Sequence, residues 1–326
     1  MPGPFPKDIA VGRLRELVAH SLEATSDTPA LDALILLETA TAMPRADLLA
    51  ELRTPVVRLL DDTTLTTLRS LVETRRSGSS IAYITGSKEF YGYEFAVGPG
   101  ALVPRPETEH VVEEGLRLLE AHRHATIHDS FTGTGCVGIA LALERSNRGY
   151  STHLILSDWE PAALQWADRN AAALLSGHDE ISYTVERRDV LEPDWESLRD
   201  SHTLRDEPAP PDERHTEELR GSCDLITANP PYLTTSEMDE IRASQNSEPS
   251  SALAGGLDGL YLYPKLAAQA FAQLRPERYV LVEHGWSQGT AVRSLFATAG
   301  FKHTDTLEDL AGRDRILRAR RPADNS

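Results

Sequence analysis

From residue 8 to about residue 80, apolar side chains recur at helical spacing. Val11, Leu14, Leu17 and Val18 share one face, Leu31, Leu34 and Leu37 continue it, and Leu48, Leu49 and Leu52 extend it. Asp62 or Thr63 stands where a cap belongs, ahead of a further helix carrying Leu65, Leu68 and Leu71. Residues 1–80 therefore predict a small helical domain, suited to packing or to docking a substrate or partner. The period changes over residues 81–104, where IAYITGSKEFYGYEFAVGPGALV is aromatic and β-branched and is punctuated by Gly86, Gly92, Gly98 and Pro99. That stretch predicts a β-hairpin linker. From residue 105 to 326 apolar strands alternate with helices. TIHD (126–129), THLILSD (152–158), ISYTVERRD (181–189), CDLITAN (223–229) and YVLVEHG (279–285) are the strands, and DLAGRDRILRAR (309–320) suits an antiparallel pair at an edge. Such alternation predicts an α/β domain with a largely parallel sheet. The polar, mainly acidic stretch 197–221 interrupts the pattern and reads as an exposed insertion.

Composition narrows the class. Against 50 Asp and Glu there are 33 Lys and Arg, a formal charge of −17. A chain built to grip nucleic acid concentrates Lys and Arg, so no stable nucleic-acid complex is expected. Two cysteines, Cys136 and Cys223, exclude a disulfide framework and a cysteine-rich zinc site. The histidines form no HExxH arrangement, and no metal is implied. No apolar run is long enough to span a membrane, and MPGPFPKDIA lacks the features of a signal peptide, so a cytoplasmic protein is expected.

Two motifs carry chemistry. The first is Asp129-Ser-Phe-Thr-Gly-Thr-Gly135, between a strand and a helix. Glycines at such a turn let backbone approach a ligand and leave helix N–H groups free for it. Asp158 ends the next strand, placed to accept from ribose hydroxyls or to cap the helix at Pro161. Asp189 ends the third strand and either faces an adenine amino group or is a turn aspartate. Together these read as a nucleoside-cofactor site. The second motif is Asn229-Pro230-Pro231-Tyr232, after the fourth strand. Two prolines remove two backbone donors and stiffen the loop. A planar NH₂ group can then donate to the Asn229 side chain and the Pro230 carbonyl while stacking on Tyr232, which positions a poor nitrogen nucleophile without a strong base.

Asn229–Tyr232 resembles the signature of methyltransferases that act on planar exocyclic nitrogens with S-adenosylmethionine. Residues 81–113, EPSSALAGGLDGLYLY (248–263), VEHGWSQGTAVRSLF (282–296) and DLAGRDRILRAR resemble, in order, segments of the HemK/PrmC glutamine methyltransferases. The resemblance implies a Rossmann-like seven-stranded class I S-adenosylmethionine-dependent methyltransferase domain behind a helical domain and a hairpin linker. It implies methylation of the glutamine amide in the Gly-Gly-Gln motif of peptide chain release factors. Phe131, Thr132, Gly133, Thr134 and Gly135 would line the methionine end of the cofactor, Asp158 the ribose, and Val190 the adenine. Asn229, Pro230, Pro231 and Tyr232 would hold the acceptor amide.

Three residues depart from the family pattern: Phe131 stands where glycine or a small residue is usual, Val190 where an aromatic one is common, and His284 where an apolar one is often seen. A free amino acid or guanidino group such as arginine is therefore a second acceptor, and an adenine N6 atom in DNA or RNA a third. A cationic acceptor needs a nearby carboxylate, for which Glu107, Glu109, Glu248 and Glu283 are candidates. His284 is expected to be a partly buried histidine with a backbone partner.

Overall fold

The computed structural model describes residues 5–190, 219–243 and 247–324. The chain divides into two compact units, Met1–Ser87 with Asp239–Ser247, and Lys88–Met238 with Glu248–Ser326.

In the first unit the helices are α1 (Val11–Leu22), α2 (Pro29–Thr41), α3 (Arg45–Ala50), α4 (Val56–Leu59), α5 (Asp62–Arg76) and α6 (Ile81–Thr85). Val11, Leu14, Val18 and Leu22 pack with Leu36, Leu37, Leu65 and Leu68 into one core. The phase of α2 differs from the sequence expectation. Leu31 is 45% exposed, and Ala33, Leu36 and Leu37 face inward. α2 also buries Asp32, which the Arg75 guanidinium meets at 2.7 Å. The cap of α5 is Asp61 rather than Asp62 or Thr63: its Oδ1 accepts from the Thr64 amide at 2.7 Å. Ile81–Thr85 is a helical turn, not strand, because the Ser80 hydroxyl accepts from the Tyr83 amide and starts it.

The remaining elements are β1 (Ser87–Phe90), β2 (Tyr93–Ala96), α7 (Glu109–Leu118), β3 (His124–Ser130), α8 (Cys136–Ser146), β4 (Ser151–Asp158), α9 (Pro161–Leu174), β5 (Ile181–Arg187), β6 (Cys223–Ala228), α10 (Thr235–Ala243), α11 (Tyr263–Gln273), β7 (Leu274–Glu283), α12 (Gly289–Thr298), β8 (Lys302–Glu308) and β9 (Asp314–Arg320). β1 and β2 pair as a hairpin. The other seven strands form one sheet in the order β5-β4-β3-β6-β7-β9-β8. The first five in that order are parallel, and β9 runs antiparallel between β7 and β8. This is the seven-stranded Rossmann-like architecture that the resemblance implies. Every residue of β6 is buried, as a central strand covered on both faces requires, and its two polar residues are partnered there: Asp224 accepts from the Thr126 amide and the Arg275 guanidinium, and Thr227 donates to Asp129.

The chain leaves β3 toward β4 and β5, then returns to β3's other side for β6 and β7. Strand order thus reverses between β3 and β6. In open α/β sheets a ligand binds outside the carboxyl ends of the strands at such a point. Both motifs of interest follow strands that flank it. The expected acidic insertion at 197–221 lies outside the described residues, save its last three, which lead toward β6.

Candidate active site

The turn after β3 is held by Asp129. Its Oδ2 accepts from the Thr132 hydroxyl at 2.6 Å and the Gly138 amide at 3.1 Å, and its Oδ1 accepts from the Thr227 hydroxyl at 2.6 Å. One buried carboxylate therefore joins the turn, the first turn of α8 and β6. Burial pushes its pKa up to about 6. The Thr132 amide donates to the Ser157 carbonyl of β4 at 2.9 Å. Phe131, Gly133 and Gly135 have φ of +58°, +56° and +82°. Left-handed backbone is routine for glycine and strained for phenylalanine, so the residue that departs from the family pattern stands where the backbone itself favours glycine. Part of the Phe131 side chain packs against the core cluster that contains Val190.

Asp158 ends β4 half-buried. Its Oδ2 accepts from the Gly133 amide at 2.9 Å and its Oδ1 from the Glu160 amide at 3.0 Å. It thus serves the helix start and the turn together, and burial raises its pKa. Phe131, Thr132, Gly133, Thr134, Asp158, Asn229 and Pro231 line one cavity of about 70 Å³. Phe131, Asp158, Asp189, Val190 and Pro231 line a second of about 310 Å³. Phe131, Asp158, Trp159 and Pro231 line both, which makes them two parts of one groove. Gly135 caps α8 behind the groove. A narrow pocket against a glycine turn, a wider apolar one and a carboxylate at their junction suit a cofactor with a nucleoside at one end.

Asn229–Tyr232 leaves β6 at the groove's edge. Gln288 holds the loop by donating to the Tyr232 carbonyl at 2.9 Å. The Asn229 amide donates from Nδ2 to the Thr108 hydroxyl at 3.5 Å. Its Oδ1 is buried and without a hydrogen-bond partner among the described residues. Tyr232 donates from its hydroxyl to Glu283 at 3.3 Å, and burial raises its pKa.

Pro230, Tyr232, Glu107 and Glu248 line neither cavity. Glu248 is buried, and its two oxygens accept from the Val103 amide and the Arg105 guanidinium. Glu109 accepts from the Tyr91 amide, and Glu107 is exposed. His284 is fully buried, with Nδ1 2.9 Å from the Gly285 carbonyl, and burial lowers its pKa.

Sequence reasoning missed Asp129, Thr108 and Trp159 as site residues, and weighed Glu283 only as a counter-ion. Asp129 opened the quoted motif and Trp159 adjoined Asp158, so position relative to strand ends was the available signal. Nothing in the one-dimensional pattern brings Thr108 to Glu283.

Comparison with known proteins follows the same line. A family model described as the PrmC N-terminal domain matches residues 14–86. The release factor glutamine methyltransferase of Xylella fastidiosa (strain Temecula1) is 35% identical over 255 residues, covering 78% of this chain and 81% of that one. Its namesake in Cereibacter sphaeroides is 35% identical over 315 residues, covering 96% and 99%. That of Escherichia coli (strain K12) is 31% identical, covering 94% and 97%.

Proposed function

Because the chain belongs to the release factor glutamine methyltransferase family, we propose that it is an S-adenosylmethionine-dependent N-methyltransferase whose acceptor is the glutamine amide of the Gly-Gly-Gln motif in peptide chain release factors. The observation that carries this reading is the buried Asn229 Oδ1, which has no hydrogen-bond partner among the described residues and belongs to a side chain that lines the groove. A buried unpaired acceptor costs about 1–3 kcal/mol, and an incoming N–H donor removes that cost.

The groove fits the cofactor. The turn at 131–135 would hold its methionine end, Asp158 the ribose, and Asp189 and Val190 the adenine. Trp159, which lines both cavities, adds the flat face that Val190 lacks. S-adenosylmethionine bound there supplies an electrophilic methyl group. The protein's part is to hold a weak nucleophile: Asn229 Oδ1 and the Pro230 carbonyl accept from the two amide protons, and Tyr232 bounds the loop. Pro230 and Pro231 carry no N–H that could compete for those acceptors. Both acceptors face the N–H groups as these become more acidic, so they bind more strongly as methylation proceeds.

A guanidinium acceptor would want a free carboxylate. Glu109, Glu248 and Glu283 each already accept from the protein, and Glu107 is exposed and lines neither cavity, which favours the neutral amide. The test is methyl transfer from S-adenosylmethionine to unmethylated, folded release factor, with free arginine in parallel, read by mass spectrometry. One added methyl on the Gly-Gly-Gln glutamine is expected, and Asn229→Ala abolishes it while sparing cofactor binding. Methylated arginine beside unmodified release factor would reverse the assignment.

A further inference from the structure

Resting on that reading of the site, we propose that Thr108 and Glu283 form a positioning relay that sets which way the Asn229 amide faces, holding its oxygen toward the methyl acceptor. An asparagine amide has an acceptor end and a donor end of nearly the same shape, and its surroundings decide which points where. If the Asn229 amide turned over, the acceptor's NH₂ would meet another NH₂ instead of an oxygen. The site therefore needs a device that distinguishes the two ends.

The Asn229 Nδ2 lies 3.5 Å from the Thr108 hydroxyl, and that hydroxyl lies 2.6 Å from Glu283 Oε2. A hydroxyl has one proton. An ionised carboxylate can only accept, so while Glu283 is ionised Thr108 gives its proton to it. It then has only lone pairs to offer Asn229, and these select the NH₂ end. The amide oxygen is left on the other side, unpartnered among the described residues, in a side chain that lines the groove.

Fold geometry brings the three together. β6 and β7 are parallel neighbours with Ala228 opposite Val282, so Asn229 and Glu283 leave adjacent strands side by side. Thr108 is buried at the turn before α7. The second Glu283 oxygen accepts from the Tyr232 hydroxyl at 3.3 Å, so the same carboxylate meets one end of the Asn229–Tyr232 loop directly and the other through Thr108.

Glu283 is 1% exposed. Burial raises its pKa, and the Thr108 and Tyr232 hydroxyls and nearby Arg315 offset part of that rise by favouring the charged form on which the relay depends. A buried carboxylate bonded to two hydroxyls is expensive as a packing group. Leucine would fill the volume without that cost. What leucine lacks is the power to make Thr108 a one-way acceptor.

Thr108 and Glu283 act through Asn229 and are positioning residues. The test compares Thr108→Val, Thr108→Ser, Glu283→Leu and the Thr108→Val/Glu283→Leu double variant in the full chain. Each is assayed for kcat and KM on release factor, for S-adenosylmethionine affinity by calorimetry, and for thermal midpoint.

Thr108→Val, which keeps the shape and removes the hydroxyl, is expected to lower kcat by about 10- to 100-fold, with cofactor affinity unchanged. Thr108→Ser restores the hydroxyl and returns kcat to within about threefold of wild type, a gap of well under 1 kcal/mol. Glu283→Leu frees Thr108 to donate to the Asn229 oxygen and lowers kcat as well. The double variant is no worse than Glu283→Leu alone, since one relay is being broken twice. Wild-type kcat in Thr108→Val overturns the relay, as does a Thr108→Ser as impaired as Thr108→Val. A wild-type enzyme that leaves release factor unmethylated defeats the functional reading instead, and is told apart by that control.

Discussion

His128 and Asp129 are neighbours on β3, both nearly inaccessible, and their titrations run in opposite directions. Burial lowers the His128 pKa to about 4, with Nδ1 2.8 Å from the Gln273 side chain and Nε2 2.7 Å from the Ser157 hydroxyl. Burial raises that of Asp129 from 3.8 to about 6. For His128 the unfolded chain binds more protons between pH 4 and 6.5, so its contribution to stability is lost as pH falls through that window. For Asp129 the folded chain binds more, so stability is lost as pH rises from about 4 to about 6. The two slopes oppose one another. Asp129→Asn removes one of them. Relative to wild type, that variant is expected to gain about 2 kcal/mol between pH 4 and pH 7, read from urea midpoints at each pH. A gap that does not change with pH would show that Asp129 does not titrate in the window.

Among the elements, one close constraint on the site is how α8 meets the sheet. A Cβ added at Gly138 would lie 2.8 Å from Leu156 and 2.9 Å from both Asp129 and Leu154. Gly138 also donates its amide to Asp129. Overpacking at such a contact costs about 1–3 kcal/mol, and alanine's better helix propensity offsets at most about 1. Gly138→Ala should therefore lower the urea midpoint with the slope unchanged; an unaltered midpoint would mean the helix is free to shift outward.

Periodicity made most elements legible, since burial on one face leaves a trace in the order of residues. The five parallel strands and the Asn229–Tyr232 loop lay where the alternation put them. Their edges were less visible. β7 begins at Leu274, about five residues before the apolar run, because backbone pairing with Cys223 needs no apolar side chain. The phase of α2 was misread because Leu31 and Leu34 mimic a stripe that a buried Asp32 in fact crosses. Within the site, residues carried by a motif were readable, whereas Thr108 and Glu283 meet only through strand order, 175 positions apart.

For the molecule as a whole, the charge of −17 bears on the choice of acceptor. Binding to a phosphate backbone is dominated by Lys and Arg that displace counterions. No retained complex with duplex DNA or with RNA is expected in gel shifts at ~50 mM salt with about 10 µM protein. A shifted band there would reopen the adenine reading.

The order of the sheet also governs when the site can exist. β9 inserts between β7 and β8, and Glu283 pairs with Ile316 across that junction. Of the described strands β9 is the last in the chain, so during synthesis the edge of β7 waits unpaired while everything before it has emerged. The cofactor turn, Asp158 and Asn229 are on the nascent chain early. The carboxylate behind Asn229 gains its strand partner only once β9 has emerged, and a nascent enzyme carries the motif well before it carries the finished site.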